Sequence, residues 1–222
     1  MQRFFDIVFS SLALLVLSPL LVPVAILLRL TGEGEIFFLQ ERVGRGGKTF
    51  KIYKFATMLK NSPNVGTGTV TLRNDPRILP MGSFLRKTKL NELPQLLNIL
   101  NGDMSVIGPR PQTRRCFDAF TPAVQQAVIQ VRPGLSGIGS IIFRDEENMM
   151  YGHQDPAYFY DHVISPYKGV LEEWYVANQG LWTYFMLIGL TIWVVLFPHS
   201  KAVGRVLGTL PKPGPELARA LG

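Results

Sequence analysis

The feature that most limits how this chain can fold is a long apolar segment near its start, over residues 4–30. Roughly 20 apolar residues suffice for a helix to span a bilayer, so the segment is long enough to cross a membrane. Ser18-Pro19 lies in its middle, where proline removes a backbone donor and clashes with the preceding helical turn. The piece before this pair would reach only about 21 Å, which is short of the roughly 30 Å hydrocarbon core.

Basic residues flank both ends of this segment, with Arg3 before it and Arg29, Arg42 and Arg45 after it. Membrane segments keep lysine and arginine on the cytoplasmic side, so both ends favour the cytoplasm. A bent, re-entrant hairpin satisfies this pattern, and a straight span with a proline kink is the alternative; the residues alone leave both open. The run is too long for a signal peptide and lacks a small-x-small cleavage site, so we expect it to be retained.

A second apolar run covers residues 181–197 and follows aromatic residues that include Trp174 and Trp182. Aromatic side chains at the edge of an apolar run are typical of the lipid headgroup level. The tail after the run is basic, so a helix that crossed from a cytoplasmic domain would place positive charge outside. A membrane-lying helix is therefore favoured, with a crossing helix and a buried core helix as alternatives, and the terminal PKPGP stretch is expected to be extended and poorly ordered.

Composition narrows the classes of function. The formal net charge of +7 favours anionic lipid, phosphorylated substrates or nucleic acid as partners. Nucleic acid is disfavoured, because it would leave the apolar segments unexplained and no base-stacking motif is evident. The single Cys116 excludes an internal disulfide framework, and the three histidines show no zinc-like spacing with it.

The stretch between the apolar runs has mixed character. Residues 36–39 and 49–55 are predicted to be strands, joined by a glycine-rich turn at 44–47. A phosphate loop is the weaker interpretation of these glycines, because they lack Walker spacing and lie between strands. Residues 61–77 are rich in Gly, Thr, Asn and Pro and are predicted to form a loop that could cover a substrate site.

Residues 85–111 combine a helix start with a strip of basic residues and a Gly-Pro-Arg-Pro turn. Leucines at helical spacing predict a helix in which Asn91 is the N-cap, Glu92 lies in the first turn and Pro94 follows. In the simplest interpretation, Asn91 and Glu92 only cap the helix.

The same stretch also suits a phosphate site. A helix start offers unpaired N–H groups to an anion, and basic side chains stand beside it, namely Arg86, Lys87 and Lys89. The residues alone leave the capping and phosphate-binding interpretations equally open.

A further acidic cluster, Arg144-Asp145-Glu146-Glu147, lies closer to the C-terminus. Adjacent carboxylates could hold a hard cation such as Mg²⁺ together with water and substrate phosphates. A solvated acidic turn is the more common explanation for such a cluster.

Taken together, the motifs of this chain resemble those of the bacterial sugar transferases, the monotopic phosphoglycosyl transferase superfamily. The resemblance runs from Arg3 to about Gly139. The motifs are Arg3-Phe4-Phe5-Asp6, Ser18-Pro19, Phe38-Leu39-Gln40-Glu41-Arg42-Val43-Gly44, Tyr53-Lys54-Phe55-Ala56-Thr57-Met58, Asp75-Pro76-Arg77, Glu92-Leu93-Pro94-Gln95, Gly102-Asp103-Met104-Ser105, Gly108-Pro109-Arg110-Pro111 and Arg132-Pro133-Gly134.

This resemblance implies transfer of a phospho-sugar from a nucleotide diphosphate sugar to a polyprenol phosphate such as undecaprenyl phosphate, as the first membrane step of glycan assembly. It implies a bacterial inner-membrane location with the catalytic domain on the cytoplasmic face, a re-entrant helix broken at Ser18 and Pro19, and contact with membrane lipids. It also implies Mg²⁺ and an Asp-Glu dyad whose aspartate attacks phosphorus and forms a covalent phospho-sugar intermediate.

The chain departs from that family pattern at two positions. Asn91 occupies the place of the dyad aspartate, while Glu92 keeps the place of the glutamate, and Ala56 replaces a usual arginine. Because an amide is a poor nucleophile, three routes remain open. Glu92 could act as nucleophile, the acceptor phosphate could attack directly with positioning and electrostatics supplying catalysis, or the protein could bind its ligands without turnover.

We therefore predict an α+β, membrane-associated phosphoglycosyl transferase with amphipathic interface helices. Its expected parts are a re-entrant helix (1–31), a cytoplasmic catalytic domain (32–175), a C-terminal membrane-associated helix (176–200) and a basic tail (201–222). Glu92 is the predicted catalytic and metal-binding residue, together with Asn91. The predicted phosphate-binding residues are Arg86, Lys87, Lys89, Arg110 and Arg132; Asp103 and Arg144 could equally support the fold.

Two other classes remain as alternatives. One is a catalytically inactive relative that binds lipid or a partner protein, for which Asn91 and Ala56 are the reasons. The other is a basic peripheral protein held at membranes by general electrostatics. The sequence leaves the oligomeric state open, including a homo-oligomer, and it does not identify the sugar or the nucleotide.

Overall fold

The computed structural model describes residues 1–65, 75–150, 155–197, 200, 202–208 and 210–221. Helices dominate, and the described residues also form two two-stranded sheets, so the predicted mixture of helices and strands is confirmed. The elements in chain order are α1 (Gln2–Leu30), β1 (Phe37–Val43), β2 (Thr49–Phe55), α2 (Pro80–Lys87), α3 (Gln95–Asn101), β3 (Ser105–Ile107), α4 (Arg114–Asp118), α5 (Pro122–Val128), β4 (Gly134–Ser136), α6 (Ile138–Ile142), α7 (Glu146–Met149), α8 (Pro156–Phe159), α9 (Ser165–Ala177), α10 (Leu181–Leu196), α11 (Ala202–Val206) and α12 (Pro215–Leu221).

The apolar N-terminal segment forms one helix of 29 residues, α1, which includes both Pro19 and Pro23. It is long and apolar enough to cross a membrane. The re-entrant hairpin predicted at Ser18-Pro19 is not confirmed, since the helix continues through that pair. The Ser18 hydroxyl donates to the Leu15 carbonyl at 2.8 Å.

One face of α1 packs against the rest of the chain along most of its length. Asp6, Ser10, Val24 and Leu28 are buried on this face. The other side leaves large apolar residues exposed, namely Phe4, Ile7, Val8, Leu12, Leu15, Val16, Leu20, Val22, Ile26, Leu27 and Leu30. A long helix that is buried on one side and apolar on the other has a surface suited to lipid.

The predicted hairpin is confirmed: β1 and β2 pair antiparallel, with Phe37 opposite Phe55 and Val43 opposite Thr49. The first strand extends farther than the predicted 36–39. Its turn is a short 3₁₀ segment in which Gly46 and Gly47 have φ values of 70° and 74°, which only glycine adopts at little cost. The glycine cluster is therefore a hairpin turn, as the sequence favoured.

The second sheet pairs β3 and β4 in parallel, with Ser105 opposite Gly134. A side chain at Gly134 would come within 2.1 Å of the Gly108 nitrogen, so glycine is required for this close approach. The Gly134 N–H donates to the Pro109 carbonyl at 2.8 Å. This contact fixes the turn that carries Arg110.

The largest apolar core lies where α6, α9 and α10 meet β3, around residues such as Ile107, Ile138, Leu171 and Leu187. The predicted apolar run at 181–197 is thus helix α10, with one face buried in this core. Its other face leaves Trp182, Phe185, Ile192, Trp193, Val195 and Leu196 exposed.

The PKPGP stretch, residues 211–215, lacks regular structure as expected except at Pro215, which begins a helix. This helix is α12, Pro215–Leu221. Leu207 and Leu217 are buried in the large core, and the Tyr167 hydroxyl donates to the Pro211 carbonyl at 2.7 Å. Apolar side chains that return to the core outweigh the turn-forming prolines here.

Candidate active site

The turn that carries Asn91 and Glu92 differs from the predicted helix start. Leu90–Glu92 forms a 3₁₀ turn, and α3 begins only at Gln95, after Pro94. Lys89, just before the turn, has a φ of 61°, which is unusual for a residue other than glycine. The N-cap role predicted for Asn91 is therefore wrong: Pro94 has no N–H to cap, and the Leu93 N–H donates to the Leu90 carbonyl at 3.2 Å.

Asn91 is instead a buried amide with an unused oxygen. Only 6% of the residue is exposed, and its Oδ1 accepts no hydrogen bond from the described residues. A buried polar oxygen without a donor costs free energy, on the order of 1–3 kcal/mol. Asn91 directly precedes Glu92 in the 3₁₀ turn.

Glu92 lies at the centre of a charged triad. Its Oε1 accepts from Lys54 Nζ at 3.1 Å and from an Arg110 terminal nitrogen at 2.9 Å. The side chains of Glu92 and Lys54 are only 18% and 17% exposed, and that of Arg110 is 38% exposed. The hairpin, the 3₁₀ turn and the Gly-Pro-Arg-Pro turn each contribute one member, so the fold brings together residues that are distant in sequence.

The local field shifts the titration of these groups. Burial raises the pKa of Glu92, but the positive charges of Arg110 and Lys54 outweigh it and hold the pKa well below the ordinary 4.5. Burial lowers the pKa of Lys54 to about 8, although Glu92 opposes that shift. Burial and the charge of Arg110 also lower the pKa of Arg42 to about 10, so Arg42 belongs to the same electrostatic neighbourhood.

A second ion pair extends the cluster on the side of α9. Lys168 is 5% exposed, and its Nζ donates to Glu146 Oε1 at 2.6 Å. The ammonium also lies over the Tyr160 and Phe143 rings, 4.9 and 5.2 Å from their centroids. Burial lowers the pKa of Lys168, and the positive charge of Arg110 lowers it further. The two cations are therefore close enough to interact electrostatically.

The Glu172 carboxyl is hydrogen-bonded to the turn that carries Arg110. Its Oε1 accepts the Arg110 backbone N–H at 3.3 Å, while its Oε2 is buried without a partner among the described residues. Burial raises the pKa of Glu172 to about 7. Gly139 leaves room for this carboxyl, because a side chain there would come within 2.6 Å of Glu172 Oε1.

The sequence predicted site roles for Glu92 and Arg110, but it predicted no role in the site for Lys54, Arg42, Lys168 or Glu172. Lys54 and Arg42 stand inside the family motifs, which was a usable signal. For Lys168 and Glu172 the only signal was two charged residues among apolar ones on a helix that proves to be buried. The acidic cluster is divided: Glu146 joins the site, Asp145 is exposed, and the side chain of Glu147 lies outside the described residues.

The remaining predicted phosphate-binding residues lie apart from this triad's hydrogen bonds. Lys87 and Lys89 are exposed, and half-buried Arg86 donates to Met58 Sδ at 3.8 Å. Arg132 donates to the Gly102 carbonyl at 2.9 Å, at the far end of α3 from Glu92. Thus, of the five, only Arg110 donates a side-chain hydrogen bond to the Glu92 carboxylate among the described residues.

The structure also places three other features named in the sequence: Asp103, Arg144 and the loop that ends at Arg77. Asp103 accepts from the Asn98 amide at 3.4 Å, and Arg144 has a buried Nη1 with no partner in the described part of the chain. Asp75 and Arg77 form a buried ion pair, and Arg77 also donates to the Ser62 carbonyl at 2.8 Å, which ties the ends of the predicted loop together. Whether that loop covers the site depends on residues 66–74, which lie outside the described residues.

The carboxylates of the site fit a substrate-bound Mg²⁺ better than a resident one. No group of three or more metal-ligating side chains occurs in the described ranges. Mg²⁺ is often held by one or two carboxylates with water and substrate phosphates. Glu92 supplies one carboxylate, and Asn91, its neighbour in the 3₁₀ turn, has a weaker amide oxygen that accepts no hydrogen bond from the described residues.

Comparison with known proteins identifies the same family as the motifs do. The family model described as "Bacterial sugar transferase" matches residues 1–198. This chain belongs to the bacterial sugar transferase family. The resemblance drawn from the motifs is thereby confirmed, and the triad of Lys54, Glu92 and Arg110 lies within the matched residues.

Several curated members of this family are similar to the chain. The UDP-N-acetylgalactosamine-undecaprenyl-phosphate N-acetylgalactosaminephosphotransferase of Aeromonas hydrophila is 34% identical over 197 residues, covering 88% of this chain and 43% of that protein. The exopolysaccharide production protein ExoY of Sinorhizobium fredii is 38% identical over 159 residues, 65% of this chain and 70% of that protein.

The UDP-glucose:undecaprenyl-phosphate glucose-1-phosphate transferase of Escherichia coli K12 is 38% identical over 143 residues, 64% of this chain and 31% of that protein. The chain therefore spans less than half the length of the Aeromonas and Escherichia proteins, and more than two thirds of ExoY.

Proposed function

We propose that this sugar transferase family member moves a phospho-sugar from a nucleotide diphosphate sugar to a polyprenol phosphate. The observation that carries the proposal is the partly buried triad, in which two cations contact one oxygen of Glu92. Relatives named as undecaprenyl-phosphate sugar phosphotransferases support the same substrates. Nothing in these comparisons favours an inactive lipid-binding protein.

The charge balance of the site suits a diphosphate. Arg42, Lys54, Arg110 and Lys168 are cationic, whereas two nearby carboxylates, those of Glu92 and Glu146, pair with three of them. The excess positive charge would attract the donor's diphosphate. Arg110 has the planar fork that grips phosphate oxygens in two places, and its turn is held in position by the sheet.

In the step we propose, an oxygen of the acceptor phosphate attacks the donor phosphorus that carries the sugar. A new phosphorus–oxygen bond forms, the bond to the nucleoside monophosphate breaks, and that group leaves with the electron pair. Direct attack is favoured because Glu92 Oε1 is held by two cations and the neighbouring Asn91 is a poor nucleophile. Glu92 would then keep Lys54 and Arg110 in the orientation that stabilises charge on the phosphates.

Mg²⁺, when bound with the donor, would neutralise charge on the diphosphate oxygens. Glu92 is the residue that would hold it, with the Asn91 amide oxygen as a weaker neighbour. The cations of the site would hold the remaining phosphate oxygens.

The exposed apolar faces of α1 and α10 would contact the membrane. Phe5 and Phe9 of α1 meet Phe185 of α10 at ring-centroid distances of 4.9 and 6.3 Å, which joins the two faces into one surface. Arg3 and Arg29 at the ends of α1 favour placing the protein on the cytoplasmic face of the inner membrane. The polyprenol acceptor would reach the site from this surface.

The test is release of nucleoside monophosphate by purified full-length protein with a panel of nucleotide sugars, Mg²⁺, and either undecaprenyl phosphate or no lipid. Release that requires the lipid is expected for direct transfer. Stoichiometric release without lipid would replace direct attack by a covalent route, and Glu92→Gln would then abolish the burst if Glu92 is the nucleophile. No release from any donor, together with activity in an Asn91→Asp variant, would refute the proposed function.

A further inference from the structure

We propose that a second pocket, at the C-terminal end of α3, binds a phosphate group. Arginines from three separate segments line it: Arg3 of α1, Arg45 of the hairpin turn and Arg132, just before β4. We call it the arginine pocket. It lies at the opposite end of α3 from Glu92, and the proposal does not rest on the transfer reaction.

Backbone carbonyls anchor each of the three guanidinium groups. Arg3 donates to the Ile99 carbonyl and, at 2.9 Å, to that of Leu100. Arg132 and Arg45 each donate through Nε, to the Gly102 carbonyl at 2.9 Å and to the Gln130 carbonyl at 3.2 Å.

These bonds leave donors for a ligand. In the described part of the chain, the terminal nitrogens of Arg45 and Arg132 make no hydrogen bond to protein. A guanidinium that is held through Nε and has both terminal nitrogens available presents the edge that binds phosphate oxygens in pairs.

A structural role, in which the arginines stabilise the C-terminal end of α3, explains only part of the arginine pocket. Arg3 and Arg132 satisfy carbonyls at the end of α3 and complement its negative end. Arg45 donates no hydrogen bond to α3 in the described part of the chain; it is exposed on the hairpin, donates to the Gln130 carbonyl and lines the same pocket. Among the described lining residues the only carboxylate is Asp6, so the pocket keeps an excess of positive charge.

Asp6 is also already engaged. Its Oδ1 accepts from the Ser105 hydroxyl at 2.8 Å, the Val106 N–H at 2.9 Å and the Tyr184 hydroxyl at 2.9 Å. The lining therefore holds three arginines against this one carboxylate, and the formal excess of two positive charges remains for an added anion.

Phosphate of this kind could come from a lipid headgroup or from free phosphate. The position of Arg3 favours the headgroup, because the neighbouring Phe4, Ile7 and Val8 are exposed and apolar. A cationic pocket beside such a face would lie at the headgroup level if α1 contacts lipid, as proposed above.

The experiment titrates full-length protein in neutral detergent with short-chain phosphatidylglycerol and, separately, with inorganic phosphate, and follows the stabilisation of thermal unfolding. Arg45→Gln is the test variant, and Lys48→Gln is its matched control, since both residues are exposed on the same hairpin and lose the same charge. A hydrogen bond to a charged group contributes about 1.5 kcal/mol, so Arg45→Gln should weaken phosphatidylglycerol binding about tenfold. Lys48→Gln should leave binding nearly unchanged, because Lys48 does not line the pocket.

The two ligands distinguish the source of the phosphate. Binding of phosphatidylglycerol with little effect of inorganic phosphate would support a headgroup site. Inorganic phosphate that binds with the same dependence on Arg45 would support the pocket as a site for free phosphate. Equal weakening by both variants, or binding of neither ligand, would overturn the proposal, because general charge and not the pocket would then account for the data.

Discussion

Glu92→Gln is the substitution that examines the charged triad most closely. Glutamine keeps the shape of the side chain and one hydrogen-bond acceptor but removes the negative charge. Lys54 and Arg110 would then face each other without the carboxylate that both contact, at 3.1 and 2.9 Å. The pKa of Lys54, already lowered to about 8 by burial, would fall further because Glu92 now raises it.

The expected loss of stability follows from distance and exposure. At an effective dielectric constant of about 20, each contact at these distances has a gross Coulomb energy of about 5 kcal/mol, which desolvation of the ions offsets in large part. Breaking a fully buried ion pair costs about 3–5 kcal/mol, and these side chains keep 17–38% exposure. We therefore expect the free energy of unfolding to fall by about 2–3 kcal/mol, equivalent to a melting temperature lower by about 6–9 °C for a chain of this size.

Thermal unfolding of wild-type and variant protein in the same detergent measures this effect. Glu41→Gln is the control, because Glu41 is exposed on the neighbouring strand and its loss should cost less than about 0.5 kcal/mol. The double variant Glu92→Gln with Lys54→Met should recover part of the loss, since it removes one unpaired cation. If Glu92→Gln melts within about 1 °C of wild type, the carboxylate does not hold the two cations together, and the electrostatic account of the site is refuted.

Three further predictions concern the rest of the site. The pKa of Glu172 is raised to about 7, so above pH 4.5 the folded state keeps a proton that the unfolded state has lost. The free energy of unfolding of the wild-type protein should therefore fall by about 3 kcal/mol between pH 4.5 and 7. Urea titrations at several pH values measure this fall, and Glu172→Gln should flatten it. Lys168→Met should lower the free energy of unfolding by about 1–2 kcal/mol, because it leaves Glu146, whose side chain is 24% exposed, without its cation. Adding Glu146→Gln to this variant should restore part of the lost stability, and additive losses would contradict the pairing. Chelation of divalent cations should abolish nucleoside monophosphate release and added Mg²⁺ should restore it, whereas unchanged release in chelator would remove Mg²⁺ from the account.

Local patterns in the sequence predicted the local structure well. Two short strand-like stretches around a glycine cluster predicted the hairpin, and the two apolar runs are the helices α1 and α10. The start of α3 was misplaced because the chain makes successive 3₁₀ bonds from Leu90 to Pro94 before the helix begins. The left-handed conformation of Lys89 has no signature in its residue type, which is neither glycine nor asparagine.

The candidate site was predictable only in part, because its members are distant in sequence. Lys54 and Glu92 are 38 positions apart, and Arg110 and Glu172 are 62 apart. Burial of Lys168 and Glu172 depends on how α9 packs against α5 and α6, which helical periodicity alone does not specify. Arg132 was predicted to bind phosphate, and it lies at the opposite end of α3 from Glu92, because β4 pairs with β3 and places it there.

The most direct test of the central claim follows both parts of the transferred group at once. Full-length protein is given a nucleotide diphosphate sugar that carries one radioactive label in the sugar and another in the phosphate attached to it, with undecaprenyl phosphate as acceptor. The account predicts that both labels enter the lipid fraction in equal amounts while unlabelled nucleoside monophosphate is released. Sugar label in the lipid without the phosphate label would show transfer of the sugar alone, and would contradict phosphoglycosyl transfer by this chain.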